Sequence, residues 1–219
     1  MKSIRTILSL AAAATTAGAQ TPAAKVVDSA RVEIERASTT RDNAGLARVV
    51  VLLDRALIAY PNDAYLLHYR GYAAYRQAVQ CFLTSNMSCA APFVQRAMGD
   101  LDKSGEKLPW PETFSLLAAA SGFAIALDPN RGMELGQQIG LLQGRAMQLG
   151  ARNPRVWLVA GIAAHNTPPE YGGGVDRARE MIKKAIELFA TDTPGPLAPA
   201  WGRDEAAAYL KLIEGETKP

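Results

Sequence analysis

Residues 54–75 read DRALIAYPNDAYLLHYRGYAAY, and this stretch decides the fold. Ala56 and Leu57 end a run in which apolar residues recur at three and four positions, the period of one helix face. Tyr60-Pro61-Asn62-Asp63 breaks the run with turn chemistry. Leu66, Leu67, Gly71, Ala74 and Ala78 then resume it. The pattern predicts two helices joined by a short turn. Gly71, four positions after the large Leu67, lets the two helices approach closely.

The same period extends outward in both directions. Apolar positions predict helices around 26–37, 46–57, 66–78, 94–101, 114–127, 133–149, 156–164, 175–189 and 203–212. Pro- and Asn-rich breaks separate them, and no long alternating stretch argues for a sheet. Alanine and leucine dominate the composition, and both enter helices at little cost. The expected class is all-α.

Internal repetition organises these helices. Small residues recur at Ala56, Ala97, Ala146 and Ala185, three of them following a large residue by three. The odd helices carry a large residue and then a small one four later: Leu67 and Gly71, Phe114 and Ala118, Trp157 and Gly161. One hairpin of this kind leaves apolar faces uncovered, so stacked hairpins are expected to share one core.

Residues 54–75, with NPRVWLVAGIAA (153–164) and DRAREMIKKAIELF (176–189), resemble the tetratricopeptide repeat (TPR) family. The resemblance covers about residues 24–190. It implies an α-solenoid of about four degenerate hairpins, with a C-terminal capping helix over 201–214. CFLTSNMSC (81–89) and HNTPPEYGGG (165–174) read as insertions between paired helices. PPEYGGGVDRA together with APAWGRDEA is also similar to secreted bacterial TPR-like proteins, which implies a compartment and a fold but no activity.

The start of the chain reads as a secretory signal. Lys2 and Arg5 precede the apolar run ILSLAAAA, and Ala17-Gly18-Ala19 places cleavage after Ala19. The run falls short of the roughly 20 residues that a spanning helix needs. The expected organisation is a cleaved signal over 1–19 and one domain over 20–219, periplasmic or secreted. The 219-residue chain has a net charge of +3; loss of Lys2 and Arg5 leaves the mature chain at +1. That balance excludes an electrostatically driven nucleic-acid binder. In an oxidising compartment Cys81 and Cys89 read as a structural disulfide.

The TPR resemblance puts the first helix of each pair on a concave groove. It places Tyr65, His68, Tyr72, Tyr75 and Arg76 there as contacts for a protein or peptide partner. Tyrosine gives contact area and a hydroxyl, and arginine pairs with carboxylates. The same stripe would equally serve packing against the next hairpin. A second candidate is the 166–174 loop, where Asn166 and Tyr171 would lie near His165. A tight interhelical connection is the simpler reading of its Pro168-Pro169 and Gly172–Gly174. Trp201 and Gly202 read as docking the last helix.

No catalytic motif appears: no His-Glu-x-x-His, Gly-x-Ser-x-Gly or dinucleotide glycine pattern. Two separated histidines and a cysteine pair suggest no metal or cofactor. Glu33, Glu35, Asp100, Asp102 and Glu187 read as solvated charges. The expectation is therefore an exported, non-catalytic, protein-binding scaffold. The alternative is a small-molecule carrier with the 166–174 loop as its lid.

Overall fold

Residues 21–216 are described by a computed structural model; the secretory signal expected at 1–19 lies outside them. Among the described residues nine α-helices run α1 (Pro22–Thr39), α2 (Asn43–Ala59), α3 (Ala64–Leu83), α4 (Met87–Gly105), α5 (Pro111–Leu127), α6 (Gly132–Gly150), α7 (Pro154–His165), α8 (Val175–Phe189) and α9 (Arg203–Glu216). Each expected helix is present, and the described residues contain no strand. The starts are set by local chemistry. Thr21, Asp42, Asp63, Asn86 and Asn153 accept hydrogen bonds from backbone N–H groups of the first turns that follow them. Pro22, Pro111 and Pro154 occupy first-turn positions, where the missing N–H costs nothing.

Successive helices pack as antiparallel neighbours, α1 on α2, α3 on α4, α5 on α6 and α7 on α8. The small residues sit at the crossings. A Cβ on Gly71 would stand 2.8 Å from Leu101 Cγ, and one on Gly161 would stand 2.7 Å from Ile182 Cδ1. CFLTSNMSC is not an insertion: Cys81–Leu83 ends α3 and Met87–Cys89 begins α4, with a turn at 84–86.

The expected TPR solenoid does not form, for two physical reasons. First, α6 runs along α5 and scarcely touches α7. Gly136, Gly140 and Gly144 on α6 face open space, while Met133 and Leu141 are exposed. Second, the C-terminal part does more than cap the last hairpin, although α9 does pack on α8. Residues 190–202 leave α8 and fold back over α1, α3 and α7, and α9 follows. Tyr69 bonds to Leu197, Arg76 pairs with Glu205, and Arg31 reaches the Ala198 carbonyl. Ile34, Tyr72, Leu158, Trp201 and Ile213 consequently belong to one core. In a solenoid each unit touches only its neighbours; here the first and last thirds of the chain are packed together.

Candidate functional site

The side chains assigned from sequence to a binding groove are covered, Tyr72 and Arg76 by the C-terminal segment and α9, and Tyr65, His68 and Tyr75 by α5 and the Trp110 before it. Tyr72 is stacked on Trp201, with ring centroids 5.2 Å apart, and its hydroxyl donates to Glu35 Oε1 at 2.7 Å. Arg76 Nη1 pairs with Glu205 Oε1 at 2.9 Å. Tyr75 is buried and stacks on Phe123 at 5.5 Å. His68 is fully buried; its Nδ1 lies 2.8 Å from Thr113 Oγ1, and Tyr69 and Trp110 meet its ring edge-on. Burial alone pulls its pKa from 6.5 to about 3, so the ring is neutral. Tyr65 is half-buried, edge-on to Trp110. These five side chains are therefore not an open surface for a protein or peptide.

In the second predicted cluster His165 and Asn166 meet at the Tyr209 hydroxyl, while Tyr171 stands apart. His165 Nδ1 lies 2.9 Å from the Tyr209 hydroxyl and its Nε2 lies 2.8 Å from Glu216 Oε2, which fastens α7 to α9. Asn166 bonds back to the Ile162 carbonyl. Tyr171 is 78% exposed and projects into solvent. The 166–174 loop is tied by its own backbone, with Gly173 N–H donating to Pro168 and Gly174 N–H to Ala164. Gly172 and Gly174 adopt φ of +81° and +105°, and a Cβ on Gly173 would overlap the Thr167 carbonyl. The loop is a tight connection held by its own backbone.

Two acidic residues expected in solvent are not there. Asp100 is buried and grips Arg70 at 2.6 Å, and Glu35 is held among Tyr72, Arg76 and Glu205, where burial raises its pKa. Cys81 and Cys89 are joined by a disulfide with Cα atoms 5.9 Å apart. Among the described residues no group of three or more His, Cys, Asp or Glu converges as a metal site. No described helix is long and apolar enough to cross a membrane.

The cavity that does exist was not foreseen from sequence. It measures about 230 Å³ and lies between the N-termini of α5 and α7 and the folded-back segment. Trp110, Glu112, Asn153, Arg155, Asp192 and Pro194 are among its walls. Arg155 is only 2% exposed, pairs with Asp192 Oδ2 at 2.6 Å, and lies 4.0 Å from Glu112 Oε1. Glu112 accepts from Asn153 Nδ2 at 2.7 Å, and burial raises its pKa. A smaller cavity of about 110 Å³ lies on the other flank of the same segment, between Leu197, Tyr65 and the start of α1. Leu197 separates the two with a left-handed φ of +59°, rare for a branched side chain, while its carbonyl accepts from Tyr69 at 2.7 Å. Buried arginine and glutamate beside an aromatic wall make this cavity the candidate site.

No family model and no curated protein matches the sequence. Among solved structures, the fold is similar to that of the HusA haemophore from Porphyromonas gingivalis. The TM-score is 0.70 at 20% identity, covering 91% of this chain and 98% of that one. That likeness runs across the closed helical bundle, and it overturns both the assignment to the TPR family and the expected protein- or peptide-binding groove. What the chain shares with this structure is the fold.

Proposed function

We propose that this chain is an exported, non-catalytic carrier of a small molecule, made of a cleaved signal over 1–19 and a single helical domain. The observation that supports it best is the fold likeness to a haemophore along nearly the whole chain. The polar cavity beside Arg155 adds a local reason, since ligand sites combine apolar walls with a few placed polar groups.

Haem itself is the first cargo to compare with these residues. Proteins hold haem iron through His, Cys, Met or Tyr. His68 is sealed in the core, both nitrogens of His165 are engaged, and the cysteines are bonded to each other. No His, Cys, Met or Tyr lines the cavity of about 230 Å³, so that cavity offers no iron ligand for a haem. At about 230 Å³ the cavity also falls below the roughly 300–1,000 Å³ of ordinary ligand sites. The ring and acid parts of such a molecule find better partners: Trp110 and the tyrosines for a flat ring, Arg155 for a carboxylate.

The test is a melting and calorimetric panel on the mature chain, with porphyrins, flat aromatic acids, amino acids and sugars. A true cargo at one hundred times its Kd adds about 2.7 kcal/mol. That raises Tm by roughly 5–11 °C for a domain of this size. A melting temperature unmoved by every class would remove the carrier reading.

A further inference from the structure

α6 leaves one face to solvent along its length, and that face is not built like a solvated one. Its 19 residues hold two charges, Glu134 and Arg145. α5 and α7 are as poor in charge, but they lie mostly inside the bundle. On α6, Met133 is 84% exposed and Leu141 77%. A helix face in water is normally polar, so an apolar face with little charge is expected to be covered. Gly136, Gly140 and Gly144 recur at four positions beside these side chains, and a Cβ on any of them would meet nothing within 4 Å. Each weakens the helix relative to alanine, and no contact of this chain uses the space. Gly71 and Gly161 differ, because a Cβ there would press on Leu101 and Ile182.

The two charges point to what covers the face. Glu134 and Arg145 stand about three turns apart and so share one side of the helix. Both are exposed, and the Arg145 guanidinium lies over the Phe114 ring at 4.3 Å, which holds it beside the helix. A two-fold axis crossing α6 between Ile139 and Gly140 leaves the two charges equally far on either side. Two antiparallel copies of α6 about that axis bring each Glu134 beside the other copy's Arg145. Met133, Gly140, Leu141 and Gly144 then lie along the seam, and the glycines let the backbones approach. The outer face of α2 also exposes apolar side chains, Val51 and Ile58. There the same operation sets Arg48 against Arg55, and like charges oppose. Of these two faces, only that of α6 is complementary to itself.

We propose that two copies of this chain dimerise through the outer face of α6, antiparallel about a two-fold axis at Ile139 and Gly140, with reciprocal Glu134–Arg145 ion pairs at the rim. The contact is isologous and closes on itself, so assembly stops at two. α6 is about 28 Å long. One face of that length lies at the low end of interface sizes, so the dimer is weak and reversible. No residue lining the cavity of about 230 Å³ belongs to α6, so each copy keeps its own cavity free. The dimer is independent of any cargo and stands or falls apart from the carrier reading.

The experiment is sedimentation equilibrium of the mature chain at low salt, over roughly 1 to 300 µM, a range that brackets weak association. The mass should rise from one chain toward two. Leu141→Glu puts a charge into the seam and should weaken the dimer at least about tenfold. Glu134→Arg turns two attractive pairs into two repulsive ones and should weaken it about fivefold or more. Adding Arg145→Glu to it restores both pairs with the signs exchanged and should recover wild-type affinity within about twofold. A chain that stays monomeric throughout overturns the proposal. So does a dimer that Leu141→Glu leaves intact, or a double variant no tighter than Glu134→Arg alone. A thermal melt of each variant shows whether it is folded. If Arg145→Glu unfolds the chain by leaving Phe114, cysteines read the register instead. Gly140→Cys, beside the axis, should cross-link two copies on mild oxidation, and Gln148→Cys, about 12 Å further along the helix, should not. The reverse result overturns the antiparallel pairing.

Discussion

Replacing Asp192 by alanine separates a side chain that competes with cargo from one that is merely packed. Asp192 Oδ2 stands 2.6 Å from Arg155 Nη2, with the two side chains 16% and 2% exposed. Removing one member of a fully buried pair costs roughly 3–5 kcal/mol, because the other charge is stranded. Here Glu112, 4.0 Å away, still faces the guanidinium, and Asp192 is partly wet. The loss is then closer to that of one hydrogen bond to a charged group, about 2 kcal/mol. Tm should fall by roughly 4–8 °C. If cargo must displace Asp192, opening becomes cheaper by the same amount, and the apparent Kd of a cargo found in the panel should tighten about 30-fold. The assay is a fluorescence titration of wild type and variant beside their thermal melts. A variant that is destabilised while its affinity is unchanged would show that Asp192 is only structural. A variant that binds more weakly would make Asp192 part of the cargo contact. Both outcomes refute the reasoning.

Other consequences are independent of any cargo. Converting both Cys81 and Cys89 to serine opens a loop of eight positions. On the chain-entropy model this costs about 2.5 kcal/mol, visible as a Tm lower by roughly 5–10 °C; an unchanged Tm would mean the bridge constrains nothing. His68 should show no protonation by NMR down to pH 5, because burial pulls its pKa to about 3. A depressed pKa gives stability that is complete above 6.5 and lost as pH falls toward 3, about 2 kcal/mol by pH 5. Glu35 and Glu112, whose pKa values are raised, act in the opposite direction, so the NMR titration of the imidazole itself is the clean readout. An inflection near 6.5 would mean the ring is reached by water. Gly71→Ala should destabilise by roughly 1–3 kcal/mol, since its Cβ meets Leu101 and Asp100. Gly140→Ala, with nothing within 4 Å, should stabilise by up to about 1 kcal/mol. Denaturant melts showing the same sign for both would contradict the described crossings.

The helices were legible because each is specified by residues close to it. Asp63 caps α3 three residues before Leu66, and Asn153-Pro154 starts α7 in the same way. Gly71 and Gly161 stand where the large-then-small pattern required a close crossing. Periodicity reports which face of a helix is covered, and it does so without naming what covers it. The stripe of Tyr65, His68, Tyr72 and Tyr75 is the clearest case. It was read as an open groove because the repeat pattern assigns that face to the concave side. Trp201, which lies 129 positions after Tyr72, stacks on it. No local spacing carries that distance.

A trace of the closure was nonetheless present in the sequence. Between Phe189 and Arg203 the chain runs thirteen residues without a helix, and other connections between its helices are shorter. Loops of this length inside a compact domain are uncommon and tend to serve a function. Its composition sharpens the point. Solvated linkers are polar, whereas this one carries Leu197 and Trp201, which need cover, and three prolines, which build no regular secondary structure. A segment of that kind between two helices has to lie on something, and its Trp201 lies on Tyr72 of α3. The charges point the same way. Arg155 begins α7 and Arg76 lies midway along α3, and a buried arginine requires a carboxylate nearby. Asp192 and Glu205 bracket the segment and meet those two arginines. The long apolar loop, flanked by acids, and the basic residues on the facing helices form one pattern. It becomes visible only when the loop is read as a surface to be buried, and not as a gap between helices.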